Sequence, residues 1–185
     1  MSSSFIAAWR PAFCAALGLV LILSPLPAED GDSVDSVVKA LYRSLSFAEN
    51  ERPDLDSYRT ICHPEARFVR ITPEGPVEMD LDGFIVSFAG RIERGEIKSF
   101  HESEISRKAE TYGSLAQVFS TYQKGVNTGD PAEFTRGINS IQLYFDGRAW
   151  RVISIVWQDE RPGLLIPESY LIKNQGPRRE REERG

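Results

Sequence analysis

A search for proton-transfer chemistry in this chain starts at its two histidines, His63 and His101, because the unperturbed imidazole changes charge near neutral pH. His101 stands in a strand-like run with Glu102 and Glu104, which alternation places on one side. Paired carboxylates split their pKa values when close, but same-face positions on a strand lie roughly 7 Å apart. Their coupling is therefore modest, and a solvated or salt-bridged edge is the plainer reading. Cys62 precedes His63, yet adjacent residues point in different directions on any regular element, so the pair is not a nucleophile with its base. Cys62 reads instead as a small buried hydrophobe.

Metal binding requires three or four ligands, and His63, His101 and Cys62 have no recognised ligand spacing. Asp30-Gly31-Asp32 and Asp80-Leu81-Asp82 lack the rest of a calcium loop and suit helix starts better. There is no phosphate loop, dinucleotide fingerprint or Gly-x-Ser-x-Gly elbow. Neither a metal nor a cofactor is expected.

The turns suggest which strand residues share a face. Pairing Ala109 with Ser114 puts His101 opposite Tyr122 and Ser103 opposite Ser120. Treating Asp146-Gly147 as a two-residue turn puts Gln142 opposite Arg151, with Trp157 further along the same face. One face then carries His101, Ser103, Ser120, Tyr122, Ser140, Gln142 and Trp157. Polar groups among aromatics suit a small-molecule pocket. The same set also suits a wet outer face or a dimer interface. The expected ligand-binding residues are His101, Tyr122, Gln142 and Trp157, and no catalytic residue is assigned. Arg136, at the start of the third strand of the final set, is either an anion holder at a pocket mouth or an ordinary ion-pair partner.

The elements that must carry these residues follow from periodicity. Asp32 or Ser33 caps a helix whose Val34, Val37, Val38, Leu41 and Leu45 recur at helical spacing. Leu55, Tyr58 and Ile61 mark a short second helix ended by Pro64. Residues 66–72 alternate as a strand, and a turn follows at residues 73–76. Asp80 caps a third helix closed by Gly95. Four strands follow, at residues 97–108, 115–126, 137–145 and 149–158. Helices followed by hairpins predict an α+β fold, with three N-terminal helices packed on a strongly bent antiparallel sheet.

The two ends of the chain read differently. One basic residue, the apolar run Ala12–Leu23 and the small residue Ala28 before Glu29-Asp30 describe a secretory signal over residues 1–28. The run is shorter than the roughly 20 apolar residues of a membrane span. Residues 29–172 are expected to form the domain, and the charged, apolar-poor tail 173–185 is expected to be disordered. Loss of Arg10 moves the net charge from −5 to −6, which disfavours nucleic-acid backbones.

Three stretches carry a family resemblance: His63-Pro64-Glu65-Ala66-Arg67-Phe68-Val69, then residues 112–122 (YGSLAQVFSTY), then residues 136–143 (RGINSIQL) followed by Trp150 and Trp157. In these, and in its order of elements, the chain resembles the nuclear transport factor 2-like superfamily, and within it the SnoaL-like exported proteins of unknown function. The resemblance implies a cone-shaped, cystatin-like fold. It also implies a range of activities, from isomerases, dehydratases, epoxide hydrolases and polyketide cyclases to binding-only members. Their enzymes generally use carboxylates or histidine inside the cone, and those positions do not match here one by one.

The expected function is an exported small-ligand-binding domain, periplasmic or secreted, that forms a homodimer. The alternatives are a cofactor-free lyase or isomerase working by acid–base chemistry around His101 and Tyr122, and a structural dimerisation module. Exported protein should begin near Glu29 on N-terminal sequencing. Retention of Met1 in a membrane fraction would overturn that expectation.

Overall fold

The computed structural model describes residues 31–172, so the expected signal and charged tail lie outside the described residues. Three helices, α1 (Val34–Leu45), α2 (Leu55–Ile61) and α3 (Leu81–Glu93), pack against a sheet of six strands. The strands are β1 (Cys62–Thr72), β2 (Gly75–Asp80), β3 (Phe100–Tyr112), β4 (Leu115–Val126), β5 (Thr135–Phe145) and β6 (Trp150–Asp159), in spatial order β2-β1-β6-β5-β4-β3. The α+β architecture is as expected. The sheet itself is mixed rather than antiparallel, because β1 runs parallel to β6. The segment expected as a turn plus helix cap also supplies β2, which pairs back on β1 from Thr72↔Gly75 to Arg67↔Asp80.

Local chemistry explains the helix ends. Ser33 Oγ accepts from the Ser36 amide, and Ser36 Oγ accepts from the Ser33 amide, both at 3.0 Å, forming a reciprocal capping box. Asp54 and Asp80 cap α2 and α3 through the amides of Ser57 and Gly83. Val37, Val38, Leu41 and Leu45 of α1 are buried, as their spacing requires. The helices and the inner sheet face share one core, which holds Tyr58, Ile61, Phe68, Val118, Ile141 and Leu143. Cys62 belongs to this core, and burial pushes its thiol up to about 12. A thiol held there is not a nucleophile at neutral pH.

Both expected registers are corrected. The β3–β4 hairpin turns on Gly113-Ser114, with Gly113 at φ +56°, so Tyr112 pairs with Leu115 and Ala109 with Val118. Further along, Ser106 pairs with Thr121 while Glu104 pairs with Tyr122, leaving Ile105 as an extra residue. The β5–β6 loop spans residues 146–149. Asp146 Oδ1 accepts from the amides of Arg148 and Ala149, both at 2.8 Å, and these bonds hold its carboxyl down at about 2. That four-residue loop makes Phe145 pair with Trp150, and Ile153 is a second extra residue between Val152↔Leu143 and Ser154↔Gln142. Each bulge reverses the alternation beyond it.

The outer sheet face has its own partial cover. After β6 the chain crosses it as a strap, residues 160–172. The strap is closed on itself by the Arg161–Leu164 bridge and ends in a 3₁₀ turn at Glu168–Tyr170. Ser106 Oγ and Thr121 Oγ1 donate to the Tyr170 carbonyl at 2.7 and 2.6 Å, and Phe119 packs on the Tyr170 ring.

Candidate functional site

Between the helices and the inner sheet face lies a cavity of about 270 Å³. Its walls are aromatic. Phe84 of α3 stacks on Phe68 at 4.8 Å and on Tyr58 at 5.3 Å, and meets Trp157 edge-on at 6.2 Å. Phe88 continues the wall to Phe100 at 5.4 Å. The spacing of Leu81, Ile85 and Phe88 turns one side of α3 inward, and Phe84 follows as their neighbour on that side.

Charged and polar residues complete the lining. Glu102 enters from β3, Lys124 and Tyr122 from β4, Asn139 from β5, Asp159 from β6 and Arg70 from β1. Asp159 is their hub. Its Oδ1 accepts from the Tyr122 hydroxyl and from Lys124 Nζ, both at 2.5 Å, and its Oδ2 accepts from Arg70 at 3.1 Å. Burial alone would raise the Asp159 carboxyl. The Lys124 charge and hydrogen bond, the Tyr122 hydroxyl and Arg70 outweigh burial and hold it below the ordinary carboxylate value. Burial and this same carboxylate push the Tyr122 phenol far up, so it stays a donor.

Gly137 makes that contact possible. Tyr122 faces Gly137 across β4–β5, and its hydroxyl passes over the glycine to reach β6. A Cβ at residue 137 would stand 2.2 Å from that hydroxyl.

Glu102 differs from Asp159 in having no close cation of its own. Its backbone is pinned by Ser46 Oγ, which accepts from the Glu102 amide at 3.0 Å and whose proton, given to the Tyr42 carbonyl at 2.7 Å, also reaches the Glu102 carbonyl at 3.2 Å. Burial raises its carboxyl from near 4.5 to about 7; Lys124 opposes the shift and Asp159 adds to it. Glu102 can therefore both take and give a proton at neutral pH.

Beside it runs a chain of hydrogen bonds. Asn139 Nδ2 donates to Tyr42 Oη at 3.1 Å, Tyr42 shares a proton with Ser120 Oγ at 2.7 Å, and Ser120 donates to Glu104 at 2.5 Å. Because Ser120 donates to a carboxylate, Tyr42 must donate to Ser120. Glu104 is held in turn by Arg107 at 2.6 Å, and Arg107 by Asp35 at 2.7 Å.

The bulges decide where the expected residues fall. Tyr122 and Trp157 line the cavity. Gln142 pairs between Gln117 and Ser154, out of step with buried Ile141 and Leu143, so it lies on the outer face with Ser140. His101 pairs with Gly125 and borders a surface groove beside Arg43, Ser103 and Arg107. Glu102 and Glu104 take the inward places expected for His101 and Ser103. The Tyr122 hydroxyl meets the Asp159 carboxylate. Arg136 is paired with Glu160 at 2.8 Å, the ordinary ion pair. No group of three or more His, Cys, Asp or Glu side chains placed to hold a metal occurs among the described residues. No helix among them is long and apolar enough to cross a membrane.

The architecture is shared with known structures at low sequence identity. A protein of Caulobacter vibrioides with a cystatin-like fold aligns at TM-score 0.53 and 13% identity, over 70% of this chain and 89% of its own. A cystatin-like protein of unknown function from Nostoc punctiforme aligns at 0.51 and 10%, over 69% and 88%. A Parabacteroides distasonis protein described as a candidate ketosteroid isomerase aligns at 0.51 and 9%, over 72% and 97%. The chain thus has a cystatin-like fold. No family model matches the sequence, and no curated protein matches it.

The raised Glu102 carboxyl has a consequence for stability. Below about pH 4.5 folded and unfolded chains both hold this proton. Between about 4.5 and 7 the unfolded chain loses it first, so stability falls as pH rises, and above about 7 the loss is complete. Glu102→Gln removes the penalty. The variant should be more stable than the parent at pH 8 by up to about 3 kcal/mol, with little gain at pH 4. Urea unfolding at both pH values checks this, and an equal change at the two would refute it.

Proposed function

We propose that the chain binds a small, largely apolar molecule in the aromatic cavity and that Glu102 exchanges a proton with it. The observation behind this reading is a carboxyl group opening into an aromatic-walled space, close to charged groups that stay fixed. A volume near 270 Å³ exceeds the roughly 150 Å³ that takes benzene and approaches the roughly 300 Å³ at which drug-sized pockets begin, which suits a one- or two-ring molecule.

The chemistry would be cofactor-free acid–base catalysis. The Glu102 carboxylate removes a proton from carbon next to a ligand carbonyl, and the C–H electron pair moves into the enolate. The Glu102 acid then returns the proton to another carbon for an isomerisation. Alternatively the enolate expels a β-leaving group, which departs with a proton, for a lyase. Asn139 keeps a second amide N–H, and Lys124 further N–H groups, for the developing oxyanion. The Tyr42 and Tyr122 protons are already committed to Ser120 and Asp159.

Washout of α-protons from cyclic ketones in D₂O, followed by NMR, tests the reading. Exchange dependent on the protein should rise with pH through about 7 to a plateau, following the Glu102 carboxylate. It should fall by about 10²-fold or more in Glu102→Gln. Undiminished exchange in that variant removes Glu102 from the chemistry, and binding without exchange leaves a binding domain.

We also propose that the chain is exported, on the residue pattern of positions 1–28, and that it pairs through the outer sheet face. The strap covers only part of that face, and Leu115, Phe119 and Val156 remain well exposed there. Sedimentation should give a dimer at micromolar concentration. A monomer throughout that range would rule out the pairing.

A further inference from the structure

We propose that the molecule taken up by this cavity carries a single carboxylate, held by Arg70 and Arg91. The inference rests on the cavity being a ligand site, and it names the class of ligand.

Three cations line the cavity, Arg70, Arg91 and Lys124, against two carboxyl groups, Glu102 and Asp159. Asp159 is already engaged, since its two oxygens receive three donors from Tyr122, Lys124 and Arg70. Arg70 uses one terminal nitrogen on Asp159, which leaves the rest of its guanidinium for another partner. Arg91 gives its Nε–H to Glu96, which is not part of the lining, and keeps both terminal nitrogens. Burial favours the neutral form of Glu102. The wall therefore presents more positive charge than its own carboxylates cancel.

An anion balances that surplus, and the guanidinium fork suits a planar carboxylate. One negative charge is enough. A phosphate dianion would meet Asp159 and the ionised fraction of Glu102 in the same small space. The aromatic walls supply the other half of the description, an apolar ring body. The ligand is thus a one- or two-ring monocarboxylic acid. In the groove beside His101 the Arg107 guanidinium is already held by Glu104 and Asp35.

Calorimetric titration of the purified chain with 1-naphthoate and with neutral 1-naphthalenemethanol tests this. The acid should bind at least tenfold more tightly than the alcohol. In the Arg70→Gln/Arg91→Gln double variant the preference should fall below threefold while the alcohol still binds. Arg91→Gln alone, at a half-exposed position whose loss leaves the Asp159 hub intact, should lose part of the preference in a normally folded protein. The cavity-filling Ile155→Trp variant should lose both probes. Equal affinity for the two probes in the parent, with both lost in Ile155→Trp, overturns the carboxylate assignment and leaves the cavity reading standing. The assignment also falls if the preference persists in the double variant. If neither probe binds the parent, or Ile155→Trp affects neither, the cavity reading fails and the carboxylate assignment fails with it.

Discussion

The strict two-residue alternation of a β-strand, broken once in β3 and once in β6, governs everything the cavity contains. Ile105 and Ile153 are the extra residues. Were Ile105 paired as an ordinary strand residue, alternation from the hairpin would carry His101 and Ser103 inward and leave Glu102 and Glu104 outside. Were Ile153 likewise paired, Trp157 and Asp159 would turn out of the cavity. The carboxyl group that can move a proton and the carboxylate that organises its surroundings each keep their inward position because one isoleucine in the strand is left out of the pairing.

The two carboxyl groups are then set apart by their neighbours. Asp159 collects Tyr122, Lys124 and Arg70 and stays ionised. Glu102 lies in the same lining without such partners and is pushed towards neutrality by burial. Opposite protonation behaviour from two like groups a short way apart is what acid–base chemistry at one pH requires. The arrangement depends on a missing side chain as much as on those present, because only Gly137 lets the Tyr122 ring pass over β5.

Much of the fold was legible from periodicity and caps. Ser33, Asp80 and Gly95 stand where the residue pattern placed them, and the valine and leucine spacing of α1 is its buried face. The β1–β6 pairing was not legible, since a parallel contact between distant segments leaves no turn to mark it. Of the expected site residues, Tyr122 and Trp157 line the cavity while His101 and Gln142 do not. The reason is physical: neither bulge carries a glycine or proline signal, so no residue type marks the break in alternation. Asp146 also hid the β5–β6 register, because its side chain stabilises a four-residue loop where Asp-Gly suggests a two-residue turn. Arg70, Arg91 and Asp159 lie on separate elements, and only the fold brings them together.

The same bulge bears on solubility. β3 is a long strand at the edge of the sheet, and an open edge of that length is a template for pairing with strands of other molecules. Its first half is already occupied: Phe47 exchanges backbone hydrogen bonds with Phe100 at 2.7 and 3.0 Å, and Ser46 Oγ accepts from the Glu102 amide. The extra residue at Ile105 then kinks the strand, and Arg107, Lys108 and Glu110 bring charge to the remainder. The bulge that keeps an acid in the cavity also spoils the edge for strand addition, so one unpaired residue serves both the site and the protein's resistance to aggregation.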